Sequence, residues 1–157
     1  MPTILRTPRG WPAILLRSDR PTDPLDLAGA QAAGAFEGLR RAVHDLGPTG
    51  TIATISASGL RGRGGAGFPT GEKWRVASEV QAPRRVVVGN GYGADPSSLT
   101  DRTLLEHSPY AVLEGALIAA VAIGADRAII AVRSEATAAQ GAGKRRGSAP
   151  GAGPART

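Results

Sequence analysis

The sequence predicts an α/β fold with at least one βαβ unit, followed by a disordered C-terminal tail. Two compact β-branched segments, 84–88 and 127–132, flank a strongly apolar segment that starts at Ser108-Pro109 and closes at Gly124. Short apolar runs of this kind are typical of strands buried on both faces of a parallel sheet. A serine followed by proline is a common helix start. Since parallel strands need a long crossover, usually a helix, the three segments together predict the βαβ unit.

Before this unit the chain predicts an irregular segment and then a helix. Residues 1–25 contain five prolines, which leave room only for a short edge strand at 13–16. From 26 to 46 the pattern is helical, and its firmest part is 32–46, ended by Gly47-Pro48. The apolar residues of one helical face are Phe36, Leu39, Val43 and Leu46.

The segment 49–57 is ambiguous from its residues alone. Its β-branched content favours a strand. Pro48 before it and Gly59 after it favour a helix that ends in a loop. Further along the chain, short helices are predicted at 73–80 and at 100–107, the second directly before the helix of the βαβ unit.

The tail, residues 136–157, lacks leucine, isoleucine, valine and aromatic residues. It cannot bury enough apolar surface to offset the entropy of ordering, so we expect it to be disordered. The abrupt loss of large apolar residues soon after the second predicted strand motivates the hypothesis that the tail is out-of-frame sequence. It carries +4 of the net charge of +6, which leaves +2 for residues 1–135. Its cations are Lys144, Arg145, Arg146 and Arg156.

Composition excludes several classes of function. The chain has no cysteine, which rules out disulfides, thiolate zinc sites and cysteine-ligated iron–sulfur clusters in it. We expect no metal site from the two histidines, His44 and His107. A basic surface for nucleic acid should lie on a folded face and carry stacking aromatics, and neither is evident. The longest apolar run is too short for a membrane span, so a cytoplasmic protein without membrane insertion is expected.

The densest functional signal is the segment from Gly59 to Trp74, GLRGRGGAGFPTGEKW. Six of the thirteen residues from Gly59 to Gly71 are glycine. Glycine lets another molecule approach the backbone, and successive N–H groups in such a loop can bind an anion. Arg61, Arg63 and Lys73 add positive charge. The segment therefore predicts a phosphate-binding loop, with a flexible linker as the alternative.

The short motifs inside this segment are weak on their own. Residues 62–67 satisfy G-x-G-x-x-G, but the motif indicates a dinucleotide site only between a strand and a helix. The Phe68-Pro69 step is expected to block an immediate helix. The Walker A pattern is also absent, because Lys73 follows a glutamate and precedes Trp74.

Taken whole, the run from Ser58 to Trp74 resembles the signature of the flavin-binding subunit of respiratory NADH dehydrogenase. This is the 51 kDa-type family of complex I, shared with diaphorase subunits of NAD-linked hydrogenases and formate dehydrogenases. Residues 34–42, 101–102, 107–109, 113–115 and 118–119 are also similar to the family, so the resemblance covers about 25 to 135. It reaches only the opening part of the family's flavoprotein fold.

The resemblance implies a truncated, Rossmann-like domain that binds FMN and NADH so that hydride passes between them. It implies a partial FMN/NADH-binding α/β domain at 26–135 and a helix at 49–57. This domain lies between the irregular segment at 1–25 and the tail at 136–157, which the residues themselves predict. It also implies partner subunits and no catalytic side chain. The cofactor-binding residues it implies are Gly62, Arg63, Gly64, Gly65, Ala66, Gly67, Phe68, Pro69, Thr70, Gly71, Lys73, Asn90 and Asp95.

The loop after Asn90 departs from the family. The family carries an acidic loop of the type Asn-x-Asp-Glu-Gly-Glu-Pro, and here two of its carboxylates are lost and a third is shortened. The corresponding residues are Tyr92, Gly93, Ala94 and Asp95, followed by Pro96. Asp95 is thus the acid left in this loop to bond a ribose or nicotinamide. A non-catalytic nucleotide-binding or subunit-interaction module is the alternative function, and an RNA-associated protein acting through the tail is a more distant one.

Overall fold

A computed structural model describes Leu16 and residues 23–63, 65–93 and 98–133. Within these ranges, helices lie before and between two parallel strands. The elements in chain order are α1 Leu27–Ala32, α2 Glu37–Arg41, a π-helical turn Ala42–Leu46, α3 Gly47–Ala57, α4 Thr70–Glu79, β1 Val86–Gly91, α5 Thr100–His107, α6 Pro109–Ile123 and β2 Arg127–Val132. The expected irregular segment and tail lie almost wholly outside the described residues, and Leu16 itself is not in a strand.

The predicted helix at 32–46 is confirmed from Glu37 to Leu46, where α2 continues into the π-helical turn, and is wrong at 33–36, where the helix is interrupted between α1 and α2. Gly34 and Phe36 both adopt left-handed backbone conformations, with φ of 92° and 66°. The Phe36 ring makes an edge-on contact with Tyr110, with ring centroids 5.9 Å apart. Packing of this aromatic residue accompanies a backbone conformation that side chains rarely adopt. Gly47, at φ 64°, and Pro48 then separate the π-helical turn from a new helix.

Residues 49–57 are helical and form most of α3, as the resemblance implies. The β-branched threonines fit the helix because their hydroxyl groups bond to the preceding turn. Thr51 Oγ1 donates to the Gly47 carbonyl at 2.7 Å, and Thr54 Oγ1 donates to the Gly50 carbonyl at 2.8 Å. Such bonds let threonine satisfy its side chain within a helix.

The βαβ unit is confirmed: β1 and β2 pair in parallel, and α6 connects them after α5. Strand β1 begins two residues later than predicted and continues through Gly91. The reason is Arg85, whose backbone N–H donates to Asp126 Oδ2 at 3.0 Å. Its guanidinium donates to the Ser78 and Val80 carbonyls at the end of α4. The hydrogen bonds of Arg85 therefore connect the chain before β1 to Asp126 and to the end of α4, and Arg85 is not part of the strand.

The sheet is covered on one face. Helix α6 packs against both strands and also against α2, α3, α4 and α5, as its apolar character predicts. Its buried alanines, Ala116, Ala119 and Ala122, recur at a helical spacing of three. On the opposite face Val88 and its neighbour Ile129 remain 58% and 46% exposed. The prediction of strands buried on both faces is therefore wrong for the described part of the chain.

Candidate functional site

The glycine-rich segment forms a closed loop between α3 and α4. At its base the Thr70 N–H donates to the Leu60 carbonyl at 2.9 Å. Nearer the tip of the loop, the Gly62 N–H donates to the Phe68 carbonyl at 2.9 Å. These bonds hold the two sides together like a short hairpin, so the loop has a defined shape that a flexible linker lacks. Helix α4 begins at Thr70, directly after Pro69, earlier than the residue pattern predicts.

The Arg61 side chain stabilises this loop with a hydrogen bond across it. Its Nε donates to the Gly67 carbonyl at 2.7 Å, which spans the loop from one side to the other. Gly67 has φ of 52° and Gly59 has φ of 67°, conformations that favour glycine. Glycine is thus required at these two positions by the backbone itself, whatever the loop binds.

Gly71 has a packing role that the sequence did not predict. It is buried, and an added Cβ would lie 2.7 Å from Ser56 Cα and 2.8 Å from Ser56 N in α3. Backbone contacts this close leave no room for a side chain. Gly71 therefore fixes the approach of α4 to α3, which sets the position of the loop between them. At Gly65, by contrast, an added Cβ would meet no atom within 4 Å.

The outer part of the loop presents groups suited to an anion. Arg63, Gly65 and Ala66 are exposed, and their N–H groups make no hydrogen bond to another described residue. Arg63 and Lys73 form no ion pair with the carboxylates that the structure describes. Free N–H groups with cations nearby are the donor set that binds a phosphate.

The carboxylate nearest in sequence to Lys73 is engaged elsewhere. Arg75 NH2 donates to Glu72 Oε1 at 2.6 Å, and Arg75 NH1 donates to Glu79 Oε1 at 2.8 Å. The hydrogen bond from Arg75 lowers the pKa of Glu72, and the bonds to Glu72 and Glu79 raise the pKa of Arg75. Because the Glu72 carboxylate pairs with Arg75, it does not neutralise Lys73, whose positive charge stays available for an anionic ligand at the base of the loop.

An aromatic surface completes this loop. Phe68 is 52% exposed at the point where the loop returns to α4. A half-exposed ring beside exposed backbone and two cations fits a flat, phosphorylated cofactor. The described residues of the loop are therefore chemically suited to the cofactor class implied by the resemblance.

The second predicted part of the site lies at the end of β1. Asn90 is the fifth residue of this strand, where the sequence predicts a loop. Its Oδ1 accepts a hydrogen bond from the Tyr92 N–H at 3.1 Å. No hydrogen bond joins Asn90 to the described residues of the glycine loop. Helix α6, which packs against both α4 and β1, connects the two parts. Gly64 and Asp95 lie outside the described residues.

Sequence reasoning missed Arg133. Its Nε and NH2 donate to the Tyr92 and Gly93 carbonyls at 2.9 and 2.6 Å. Its guanidinium carbon lies 4.9 Å from the centre of the Tyr92 ring. The available signal is its position immediately after β2, because the carboxyl ends of neighbouring parallel strands meet at one edge of the sheet.

The described residues show no cluster of histidine, aspartate and glutamate able to hold a metal ion. His107 lies in α5, where its Nδ1 is 3.1 Å from the Thr103 carbonyl oxygen, and His44 is exposed. A separate surface groove of about 430 Å³ lies at the break between α1 and α2. In the described ranges, we also find no helix long and apolar enough to cross a membrane.

Comparison with known proteins identifies relatives of this architecture. The family described as Nuo51 FMN-binding domain matches residues 55–149, a range that continues past residue 135 into the predicted tail. The chain is 36% identical over 137 residues to the F subunit of NADH-quinone oxidoreductase from Escherichia coli (strain K12), covering 86% of this chain and 30% of that protein. It is 40% identical over 113 residues to the HndC subunit of the NADP-reducing hydrogenase from Solidesulfovibrio fructosivorans, covering 72% and 23%.

A solved structure agrees with this result. The crystal structure of an NAD+-reducing [NiFe]-hydrogenase in the H2-reduced state matches with a TM-score of 0.63 and 36% identity. The match covers 77% of this chain and 21% of that one. The chain spans between 22% and 30% of the length of the curated relatives. Because the family model matches more than half of its residues, the chain belongs to the Nuo51 FMN-binding domain family.

Proposed function

We propose that this chain binds FMN and NADH and serves as part of an NADH-oxidising flavoprotein. The observation that carries the proposal is the closed glycine loop with exposed N–H groups, followed by α4. Neither Arg63 of the loop nor Lys73 of α4 has a carboxylate partner in the described chain. Two unneutralised cations beside free N–H groups favour a ligand with phosphate groups. Membership of an FMN-binding family supports the choice of ligand.

Each part of the loop has a proposed task. The flavin and its phosphate are held by Gly62, Arg63, Gly64 and Lys73, together with Asn90 from the end of β1. The residues assigned to the NADH side are Gly65, Ala66, Gly67 and Phe68, with Asp95 as the proposed carboxylate for ribose or nicotinamide. Pro69, Thr70 and Gly71 fix the geometry of the loop at the start of α4.

The chain's residues position the cofactors and do not act as acids or bases. FMN, when bound, supplies the hydride-accepting ring. Exposed backbone at Gly65 permits close approach of a flat ring, because no side chain stands between the loop and its ligand. This chain has no cysteine to hold an iron–sulfur cluster, so electrons would leave through another component.

Flavin binding and reduction test this proposal directly. We expect the purified chain to quench FMN fluorescence on titration, and NADH to bleach the flavin absorbance of the complex under anaerobic conditions. FMN binding without bleaching would favour the non-catalytic nucleotide-binding module. A chain that binds neither FMN nor NADH would contradict the proposal.

We further propose that the chain works within a larger assembly, peripheral to the membrane and on the cytoplasmic side. The sheet face that the described residues leave exposed, with Val86, Val88 and Ile129, supports this, because both faces of parallel sheets are normally covered. The relatives named above include subunits of an NADH-quinone oxidoreductase and a hydrogenase. Within the chain we propose a single folded unit at 26–135, preceded by an irregular segment and followed by the basic tail.

A further inference from the structure

Tyr92 is an exposed aromatic residue whose position is fixed from two sides. Its N–H donates to Asn90 Oδ1, and its carbonyl accepts from Arg133 Nε. The guanidinium of Arg133 also stacks on the ring at 4.9 Å, while 53% of Tyr92 remains exposed. A ring held in this way loses little freedom when it binds a partner, which favours binding.

The location of this pair is that of a ligand site in α/β folds. Tyr92 directly follows β1, Arg133 directly follows β2, and the last residues of the two strands, Gly91 and Val132, are paired in the sheet. Ligands of open α/β sheets bind beyond the carboxyl ends of their strands. An added Cβ on Gly91 would lie 2.8 Å from Leu105 Cδ1, so α5 closes this edge from one side.

The chemistry at this edge is that of an aromatic ring backed by a cation. Such a ring offers a stacking surface to any flat heteroaromatic group. Arginine stacked on tyrosine further anchors the ring.

We infer that Tyr92 and Arg133 form a stacking platform that binds the flat ring of a nucleotide cofactor at the carboxyl ends of β1 and β2. The inference rests on the proposed function and adds to it a specificity-determining residue, Tyr92. The ligand chemistry is a planar heteroaromatic ring linked to phosphate. Two sources carry it, the flavin of FMN and the ring systems of NADH.

Substitution of Tyr92 tests the platform in the full chain. We expect Tyr92→Leu to weaken binding of one ring-containing cofactor about tenfold, the loss expected for one stacking contact. Tyr92→Phe should bind as the original chain does, because it keeps the ring. Titrations with FMN, with NADH, and with ribose 5-phosphate, which has no aromatic ring, give the three readings. The cofactor whose affinity falls identifies the ring on the platform.

The outcomes separate this inference from the proposed function. If Tyr92→Leu binds FMN and NADH like the original chain while Arg63→Ala binds FMN weakly, the platform is wrong and the proposed function stands. If Tyr92→Leu weakens ribose 5-phosphate as much as the cofactors, the residue is structural and the platform is again wrong. If the unsubstituted chain binds neither FMN nor NADH, both proposals are overturned.

Discussion

The glycine loop and the loop after β1 are held in place by different means. In the first, the backbone itself closes the loop through the Gly62–Phe68 and Thr70–Leu60 hydrogen bonds. In the second, side chains hold the loop, because Asn90 and Arg133 form hydrogen bonds to the backbone of Tyr92. The two loops therefore require different kinds of residue. The first loop depends on where glycine stands, and the second depends on which side chains flank it.

This difference explains why the two loops tolerate substitution differently. The glycines at 59, 67 and 71 each satisfy a backbone or packing requirement, so few substitutions are compatible with the fold. At the end of β1 the aromatic ring of Tyr92 is accommodated because another residue anchors it. Arg133 provides this anchor from 41 residues further along the chain.

The largest expected effect comes from Gly71→Ala, which tests the packing of the first loop. The new Cβ would meet backbone atoms of Ser56 at 2.7 and 2.8 Å, so α4 must move away from α3. We expect the free energy of unfolding to fall by about 2 kcal/mol, measured by urea denaturation. Gly65→Ala is the matched control and should stay within about 0.5 kcal/mol of the original chain, because no atom lies within 4 Å. Equal stability of the two variants would contradict the packing role.

The next test separates the two arginines of the glycine loop. Arg63→Ala should weaken FMN binding about tenfold and leave the free energy of unfolding unchanged, because Arg63 bonds to no described residue. Arg61→Ala should instead lower the free energy of unfolding by about 1 kcal/mol through loss of the bond to Gly67. Fluorescence titration and urea denaturation measure the two quantities. The assignment is reversed if Arg61→Ala leaves stability intact and Arg63→Ala lowers it.

The fold was predictable where local rules decide, and the second loop was not. The βαβ unit follows from β-branched runs and from Pro109 and Gly124 at the ends of α6, and these are properties of adjacent residues. The break at Gly34 to Phe36 depends on the contact of Phe36 with Tyr110, and the start of β1 depends on the bonds between Arg85 and Asp126. Such long-range contacts leave no periodicity in the sequence.

In the candidate site too, the features set by adjacent residues were predictable and those set by long-range contacts were not. The glycine loop was predictable as a phosphate-binding loop because its composition is unusual, and the resemblance made it specific. The packing role of Gly71 was not, since a glycine required by a neighbouring helix looks the same in sequence as one required by a ligand. Arg133 was also missed, because its link to Tyr92 arises only when the two strands pair.

A smaller effect is expected at the second loop from Asn90→Ala in the ligand-free chain. Removal of Oδ1 leaves the Tyr92 N–H without its acceptor, so amide hydrogen exchange at Tyr92 should become about tenfold faster. Asn90→Asp is the matched control, because its carboxylate can still accept the bond. If exchange at Tyr92 is the same in all three chains, Asn90 does not order this loop.

The smallest effect concerns the charge at the base of the first loop. Hydrogen bonding to Arg75 lowers the pKa of Glu72 below its ordinary value of 4.5. A carboxylate with a depressed pKa in the folded state stabilises the fold above the unfolded-state pKa, and this contribution is lost as the pH falls through the folded-state pKa. The melting temperature of Glu72→Gln should therefore lie slightly below that of the original chain at pH 7, and the difference should shrink as the pH falls below 4.5 and vanish once the pH is below the folded-state pKa. FMN affinity at pH 7 should be the same in both, because Glu72 is bound to Arg75 and leaves Lys73 unneutralised. A rise in FMN affinity in the variant would show that Glu72 also offsets the charge of Lys73, and the contrast between a paired Arg75 and an available Lys73 would then be wrong.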